Sequence, residues 1–157
     1  MRIGLGFDIH KLVKGKRLIL GGIQIPYHSG LKGHSDGDVV FHSISDALAG
    51  ALGIEDIGTR FPNTDKSIKG ISSRLILESY FNSLRKMGGK IVNLDIVILT
   101  ESPYIKPWYE MMKKNIAEVL KIDPSCIGIK AKTMEGLGEI GKKKAIACFA
   151  SVLIENL

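Results

Sequence analysis

Residues 2–10 mix apolar and β-branched side chains with glycine, a pattern that predicts a strand ending at His10. Leu18–Leu20 and Ile23–Ile25 flank Gly21 and Gly22, and Pro26 closes the second run, so a short hairpin or bulged edge is expected there. From residue 38 to residue 52 the period changes. Val40, Phe41, Ile44, Ala47, Leu48 and Ala51 form one apolar stripe at helical spacing, and Gly53 ends it. The opposite face carries Asp38, His42 and Asp46 at intervals of four. Ser35, followed three residues later by Asp38, resembles a capping box, which sets a helix N-terminus beside His34 and offers free backbone N–H groups to an anion.

A second helix is expected over residues 72–87, with Leu77, Tyr80, Phe81, Leu84 and Met87 inward and Gly88 as the stop. The run NLDIVILT then predicts a strand, and its apolar density over residues 94–99 predicts burial on both faces. ESPYIKP is a proline-punctuated loop, after which Trp108, Met112, Ile116, Val119 and Leu120 mark a third helix. Residues 127–131 and 145–154 read as the last strands. The order predicts an α/β fold of the α+β sandwich kind: a mixed β-sheet covered on one face by about three helices. A sheet covered on one face needs cover on the other, and a homo-oligomer packing sheet against sheet supplies it.

Length and composition narrow the classes. The 157 residues fit one domain (1–157) with no linker, repeat or glycine-rich tract, although 18 residues are glycine. Residues 1–10 lack a signal-peptide core, and the longest apolar run, AIACFASVLI, is too short to span a bilayer. Cys126 and Cys148 form no C-x-x-C and read as reduced thiols, which places the chain in the cytoplasm. The net charge of +6 favours anionic partners, but the lysines are scattered and aromatics make up only 6%, so a phosphorylated metabolite fits better than nucleic acid.

Chemistry concentrates near the N-terminus, where all four histidines (His10, His28, His34, His42) fall in the first 42 residues. Residues two apart on a strand share a face, so Asp8 and His10 of GFDIH can reach one ion, with His42 from the helix as third ligand. A D-x-H pair alone is more often a hydrogen-bonded polar pair than a metal site. Here the three side chains together match a zinc site with one open position, the mark of a catalytic rather than a structural ion. DIGTRFPNTD reads as a turn-rich loop or as a lid over a polyol. In KAKTMEGLGEIG, Thr133 and Glu135 precede glycines that let backbone amides approach an anion, and a carboxylate there suits magnesium.

These segments (GFDIH, GGIQIP, GLKGHSDGDVVFHSISDALAGALG, DIGTRFPNTD, NLDIVI and KTMEGLG) together resemble the 2-C-methyl-D-erythritol 2,4-cyclodiphosphate synthase family over essentially the whole chain. The resemblance implies a monofunctional phosphorus–oxygen lyase of the non-mevalonate isoprenoid pathway. It would convert 4-diphosphocytidyl-2-C-methyl-D-erythritol 2-phosphate to the cyclic diphosphate and CMP, as a homotrimer with active sites between subunits. It assigns zinc to Asp8, His10 and His42, and magnesium or manganese to Glu135. His34 and Thr133 become the phosphate-polarising catalytic groups, with Ser35 beside them and Asp46 supporting His42 or its helix.

The same resemblance gives the methylerythritol pocket to Asp56, Ile57 and Gly58 with Phe61, Pro62, Asn63, Thr64 and Asp65. Cytidine and diphosphate fall to Thr100, Glu101, Ser102, Pro103, Tyr104, Ile105 and Lys106 with Ala131, Lys132, Thr133, Met134 and Glu135 of an adjoining chain. Glu139 and Lys142 occupy positions that border the family's central channel, where phenylalanine and arginine are commoner, and Asn63 stands where aspartate is common. Two other readings use the same residues: another zinc-dependent phosphoesterase, and a basic nucleic-acid module with structural zinc.

Overall fold

A computed structural model describes residues 1–156. Its longest strand, β1 (Arg2–Lys14), runs four residues past His10, so Asp8 and His10 sit inside the strand rather than at its end. β2 (Leu18–Leu20) and β3 (Ile23–Ile25) form the expected hairpin, with Gly21 and Gly22 both at positive φ. β4 (Ser29–Leu31), which the sequence pattern did not reveal, pairs with Leu12, Val13 and Lys14 and so gives the extension of β1 its hydrogen-bonding partner.

Helices and strands then follow in turn: α1 (Val39–Leu52), the short α2 (Ile57–Arg60), α3 (Ser73–Lys86), β5 (Lys90–Leu99), α4 (Tyr109–Leu120), β6 (Ile127–Lys132), the short α5 (Gly138–Gly141) and β7 (Ala145–Glu155). The main sheet has the order β4-β1-β7-β5-β6, with β5 and β6 parallel and the other pairs antiparallel. The mixed sheet and the α+β character expected from the sequence are both present.

α1 lies directly on β1 and β7, α4 beside β6, and α3 packs chiefly against α1. The closeness of α1 to β1 has a specific cause. A Cβ on Gly4 would stand 1.8 Å from the carbonyl oxygen of Ala47, and one on Gly6 would stand 1.9 Å from that of Ser43. Only glycine at these two positions lets helix backbone rest on strand backbone. The hydroxyl of Ser43 lies 2.9 Å from the carbonyl oxygen of Cys148 on β7, which fixes the helix across the same two strands. Ile44, Leu48, Leu77, Tyr80 and Ile96 are fully buried between the layers. Each contributes on the order of 1.5–3 kcal/mol of apolar burial.

Two local expectations change. Asp38 is the N-cap of α1, accepting from the amides of Val40 and Phe41, so Ser35 and Asp38 do not form a capping box. Asp38 also accepts from the amides of Gly21 and Gly22 and is fully buried, and His42 is buried as well. The first part of the polar face of α1, Asp38 and His42, is therefore enclosed by β1, the β2–β3 hairpin and α3, and Asp46 alone keeps partial exposure.

β5 also departs from expectation, because only Leu94, Ile96 and Ile98 are buried while Val97 and Leu99 remain half-exposed. The face they share is the outer face of the sheet. There Ile3 is 72% exposed, Leu5 68% and Phe7 46%. Phe7 meets Phe149 of β7 with ring centroids 4.6 Å apart. A contiguous apolar face of this kind calls for a covering partner.

Candidate metal centre

On β1 the residues that face α1 are Gly4, Gly6, Asp8 and His10, since side chains alternate along a strand. The glycines bring α1 close, and the next two positions on that face carry donors. The helix supplies His42 one turn after its N-cap. The three ligating atoms lie within 4.8 Å of one another. His42 Nδ1 is 2.8 Å from Asp8 Oδ2, His10 Nε2 is 2.8 Å from the same oxygen, and the two ring nitrogens are 3.2 Å apart.

The second nitrogen of His10 lies 2.7 Å from the carbonyl oxygen of Lys32. A carbonyl only accepts, so Nδ1 carries a proton, and Nε2 is the nitrogen turned toward Asp8 and His42, able to ligate once its own proton has left. Burial opposes the charge on Asp8, but hydrogen bonds and charge from His10 and His42 outweigh it and hold the carboxyl well below the usual carboxylate range. Burial likewise opposes charge on His10, and Asp8 overrides it, raising the imidazole above its ordinary value. A deprotonated carboxylate and two imidazoles converging on one point form a donor set that fits zinc.

The triad forms the floor of a cavity of about 700 Å³. His34 and Ser35 line it, as do Ile57, Gly58 and Phe61 of the expected polyol segment, together with Pro62, Asn63 and Asp65. Asp56 and Thr64 stand outside the lining; Asp56 caps α2 by accepting from the amide of Thr59. Asp46 also lines the cavity, but its carboxylate accepts from the amide of Ile57 at 3.0 Å, so it holds the start of α2 rather than His42. Burial pushes its carboxyl up. The outer nitrogen of His42 instead lies 3.0 Å from Ser35 Oγ and 2.9 Å from Ser73 Oγ.

Sequence reasoning missed three cations on the cavity rim, Lys32, Lys66 and Lys69. Their scatter along the chain hid a cluster that exists only after folding. It missed Gly4 and Gly6 for another reason, since the signal was the strict alternation of β1, which places them on the ligand face.

Residues 100–106 and 131–135 form a separate group at the ends of β5 and β6. Pairing of Ile98 with Ala131 and of Leu99 with Lys132 brings the two segments together. The hydroxyl of Thr100 donates to the carbonyl of Ser102, Glu101 accepts from the amide of Met134, and Thr133 Oγ1 lies 2.6 Å from Glu135 Oε1. Glu135 itself has φ of 52°. Ile105 is buried, Tyr104 projects into solvent, and Lys106 begins a short 3₁₀ turn. Glu139 and Lys142 belong to α5 and its end, with Glu139 also 3.4 Å from Lys144.

None of residues 100–106 or 131–135 lines the cavity over the triad. In the sheet order, β6 stands three strand steps from β1, about 14 Å at ordinary strand spacing. Within the chain, the two groups of residues thus do not meet.

An α+β domain whose sheet and first helix place one carboxylate and two imidazoles at the floor of a lysine-rimmed cavity belongs among the metal-site proteins that handle anionic ligands. More particularly, the chain belongs to the YgbB family, whose model matches residues 1–155. It is 51% identical over 154 residues to the 2-C-methyl-D-erythritol 2,4-cyclodiphosphate synthase of Treponema denticola, covering 98% of this chain and 96% of that one. It is 48% identical to the synthase of the same name from Chloroherpeton thalassium, covering all of both chains.

Among solved structures, the IspF–CDP complex of Plasmodium falciparum is similar with a TM-score of 0.86 at 43% identity, covering 98% of this chain and 94% of that one. The bifunctional IspDF from Campylobacter jejuni is similar with a TM-score of 0.95 at 40% identity. There 99% of this chain is matched, but only 42% of the longer protein.

Proposed function

We propose that this chain is a 2-C-methyl-D-erythritol 2,4-cyclodiphosphate synthase, a phosphorus–oxygen lyase acting on 4-diphosphocytidyl-2-C-methyl-D-erythritol 2-phosphate. One observation carries the reading: the Asp8, His10 and His42 triad lies in an open, lysine-rimmed cavity of a chain that matches named synthases from end to end. An oxygen of the 2-phosphate bonds to the β-phosphorus of the diphosphate, the bond from that phosphorus to the bridging oxygen breaks, and CMP leaves with the electron pair. No protein nucleophile is needed. The task is to bring two phosphate ends of one flexible anion together against their repulsion.

Zinc on the triad and magnesium or manganese on Glu135 would supply the Lewis acidity that offsets phosphate charge. Lys32, Lys66 and Lys69 add positive potential at the rim, and His34 donates toward the reacting phosphates with Ser35 beside it. Ile57, Gly58, Phe61, Pro62, Asn63 and Asp65 enclose the methylerythritol unit. A neighbouring subunit brings residues 100–106 and 131–135, with Thr133 and Glu135 against the diphosphate and Glu101 and Lys132 near it. The apolar outer face of the sheet supports this arrangement, since a homotrimer packing those faces together covers Ile3, Leu5 and Phe7 and joins unlike half-sites. Glu139 and Lys142 then border the trimer axis. The whole of 1–157 acts as one domain, in the cytoplasm. Among the described residues no helix is long and apolar enough to cross a membrane.

The test is incubation with the cytidyl substrate, zinc and magnesium, followed by phosphorus NMR. The expected products are CMP and a cyclic diphosphate. An open-chain phosphate would instead make the chain a zinc-dependent phosphoesterase, and salt-sensitive nucleic-acid binding without CMP release would overturn the enzymatic reading.

A further inference from the structure

Ser73, the first residue of α3, has no place in the reading above, yet its hydroxyl is fully buried and lies 2.9 Å from His42 Nε2. The same hydroxyl makes a very short contact with Asp36 Oδ1, and the backbone amide of Ser73 donates to Asp36 Oδ2 at 3.1 Å. Asp36 also accepts from the amide of Asp38 at 3.2 Å. One carboxylate therefore ties the loop before α1 to the start of α3.

A serine hydroxyl has a single proton, and a carboxylate can only accept. The proton of Ser73 is committed to Asp36, so the oxygen of Ser73 can only accept from His42. That requires a proton on Nε2 of His42, so that when a metal ion takes the place of the present contact between Nδ1 and Asp8, the lone pair of Nδ1 is the one available to it. Ser35 Oγ, 3.0 Å from the same Nε2, already accepts from the amide of Gly37 at 3.1 Å. We infer that Ser73, held by Asp36, is a positioning residue that fixes the tautomer and ring orientation of His42 for metal binding. It acts through His42 and does not touch the reacting groups.

The logic mirrors that at His10. There Nδ1–H donates to the carbonyl of Lys32 and Nε2 is the nitrogen turned inward, so the two histidines offer opposite ring nitrogens to one point. Removing such an outer partner typically lowers metal affinity by about 10–100-fold. A second tie joins the same two segments: the amide of Gly70, just before α3, donates to the carbonyl of His34 at 2.8 Å.

The inference rests on the zinc site proposed above, and competition of zinc against a chromophoric chelator separates the two. If the wild-type chain binds no zinc, the metal site is wrong and this inference falls with it. If the wild type binds zinc, Ser73→Ala is expected to bind it about 10–100-fold more weakly, and Ser73→Thr, which restores a hydroxyl, is expected to recover most of that loss. Affinity in folded Ser73→Ala equal to that of the wild type overturns the positioning role alone.

A spectroscopic readout distinguishes orientation from simple destabilisation and needs no variant. In the zinc-loaded wild type, proton–nitrogen NMR of labelled histidines is expected to show a slowly exchanging N–H on Nε2 of His42, and its absence overturns the inference even if Ser73→Ala fails to fold. Where that variant folds, the signal is expected to exchange faster, while the melting temperature of the zinc-free protein stays close to that of the wild type.

Discussion

Asp8 and His10 compete with protons for the metal, and the sign of that competition follows from their environment. Asp8 is held ionised, so it needs no deprotonation near neutral pH, whereas the raised value of His10 means that its proton must leave before Nε2 can ligate. Zinc affinity is therefore expected to be full above the raised value of His10 and to fall as pH drops through it, beginning at a higher pH than an ordinary histidine would give. Chelator competition between pH 8 and about pH 6 checks this, with about a tenfold loss per pH unit per proton displaced. His42→Ala should bring near-complete loss of bound zinc with the fold kept, since a catalytic ion is not the main source of stability; metal analysis of the purified variant decides it. The ligands were legible in the sequence because residues two apart on a strand share a face and a helical histidine stood within reach, although D-x-H alone would have read as a polar pair. Ser73 and the lysine rim were not, because their partners lie far away along the chain and come together only through tertiary packing.

At the scale of elements, α1 and β1 act as one unit joined at glycines. Gly6→Ala is expected to destabilise the protein by about 1–3 kcal/mol, as overpacking does, because its Cβ would have to displace the helix carbonyl at Ser43. It should also weaken zinc binding, since His42 moves with the helix. Thermal melting and zinc titration of the variant test both effects. The other anchor of α1 is Asp38, whose carboxyl burial pushes up to about 6 even against the amides of Gly22, Gly21 and Phe41. Asp38→Ala removes a cap worth about 1 kcal/mol and leaves the amide of Gly21 buried without its partner, for about 1–3 kcal/mol more. Denaturant unfolding measures the total. The sequence showed the long elements clearly, as periodicity does for any amphipathic run. It misread Asp38 as a residue of the helical face because the hairpin amides that bury it come from another element. It missed β4 because three residues carry no period.

For the whole molecule, two half-sites some strands apart predict that activity depends on assembly. Co-refolded His42→Ala and Glu135→Gln chains are expected to regain turnover that neither shows alone, because each mixed trimer can contain an interface with both halves intact. Native mass spectrometry should first establish that mixed trimers form; mixed trimers without recovered activity would mean that both halves serve one chain. The outer sheet face was only partly legible. The pattern indicated that a partner must cover it, but the continuous apolar run of β5 read as burial on both sides. In the isolated chain one of those sides is half-exposed.

The two faces of β1 are written into a single stretch of nine or so letters: glycines, aspartate and histidine on one, isoleucine, leucine and phenylalanine on the other. Deleting one residue at the start of such a strand turns every side chain over. Isoleucine and leucine would then press against the backbone of α1, while the carboxylate and imidazole would point out from the apolar outer face of the sheet. The metal-ligand face and the apolar face cannot drift apart in this segment, because the slip that would spoil one necessarily spoils the other.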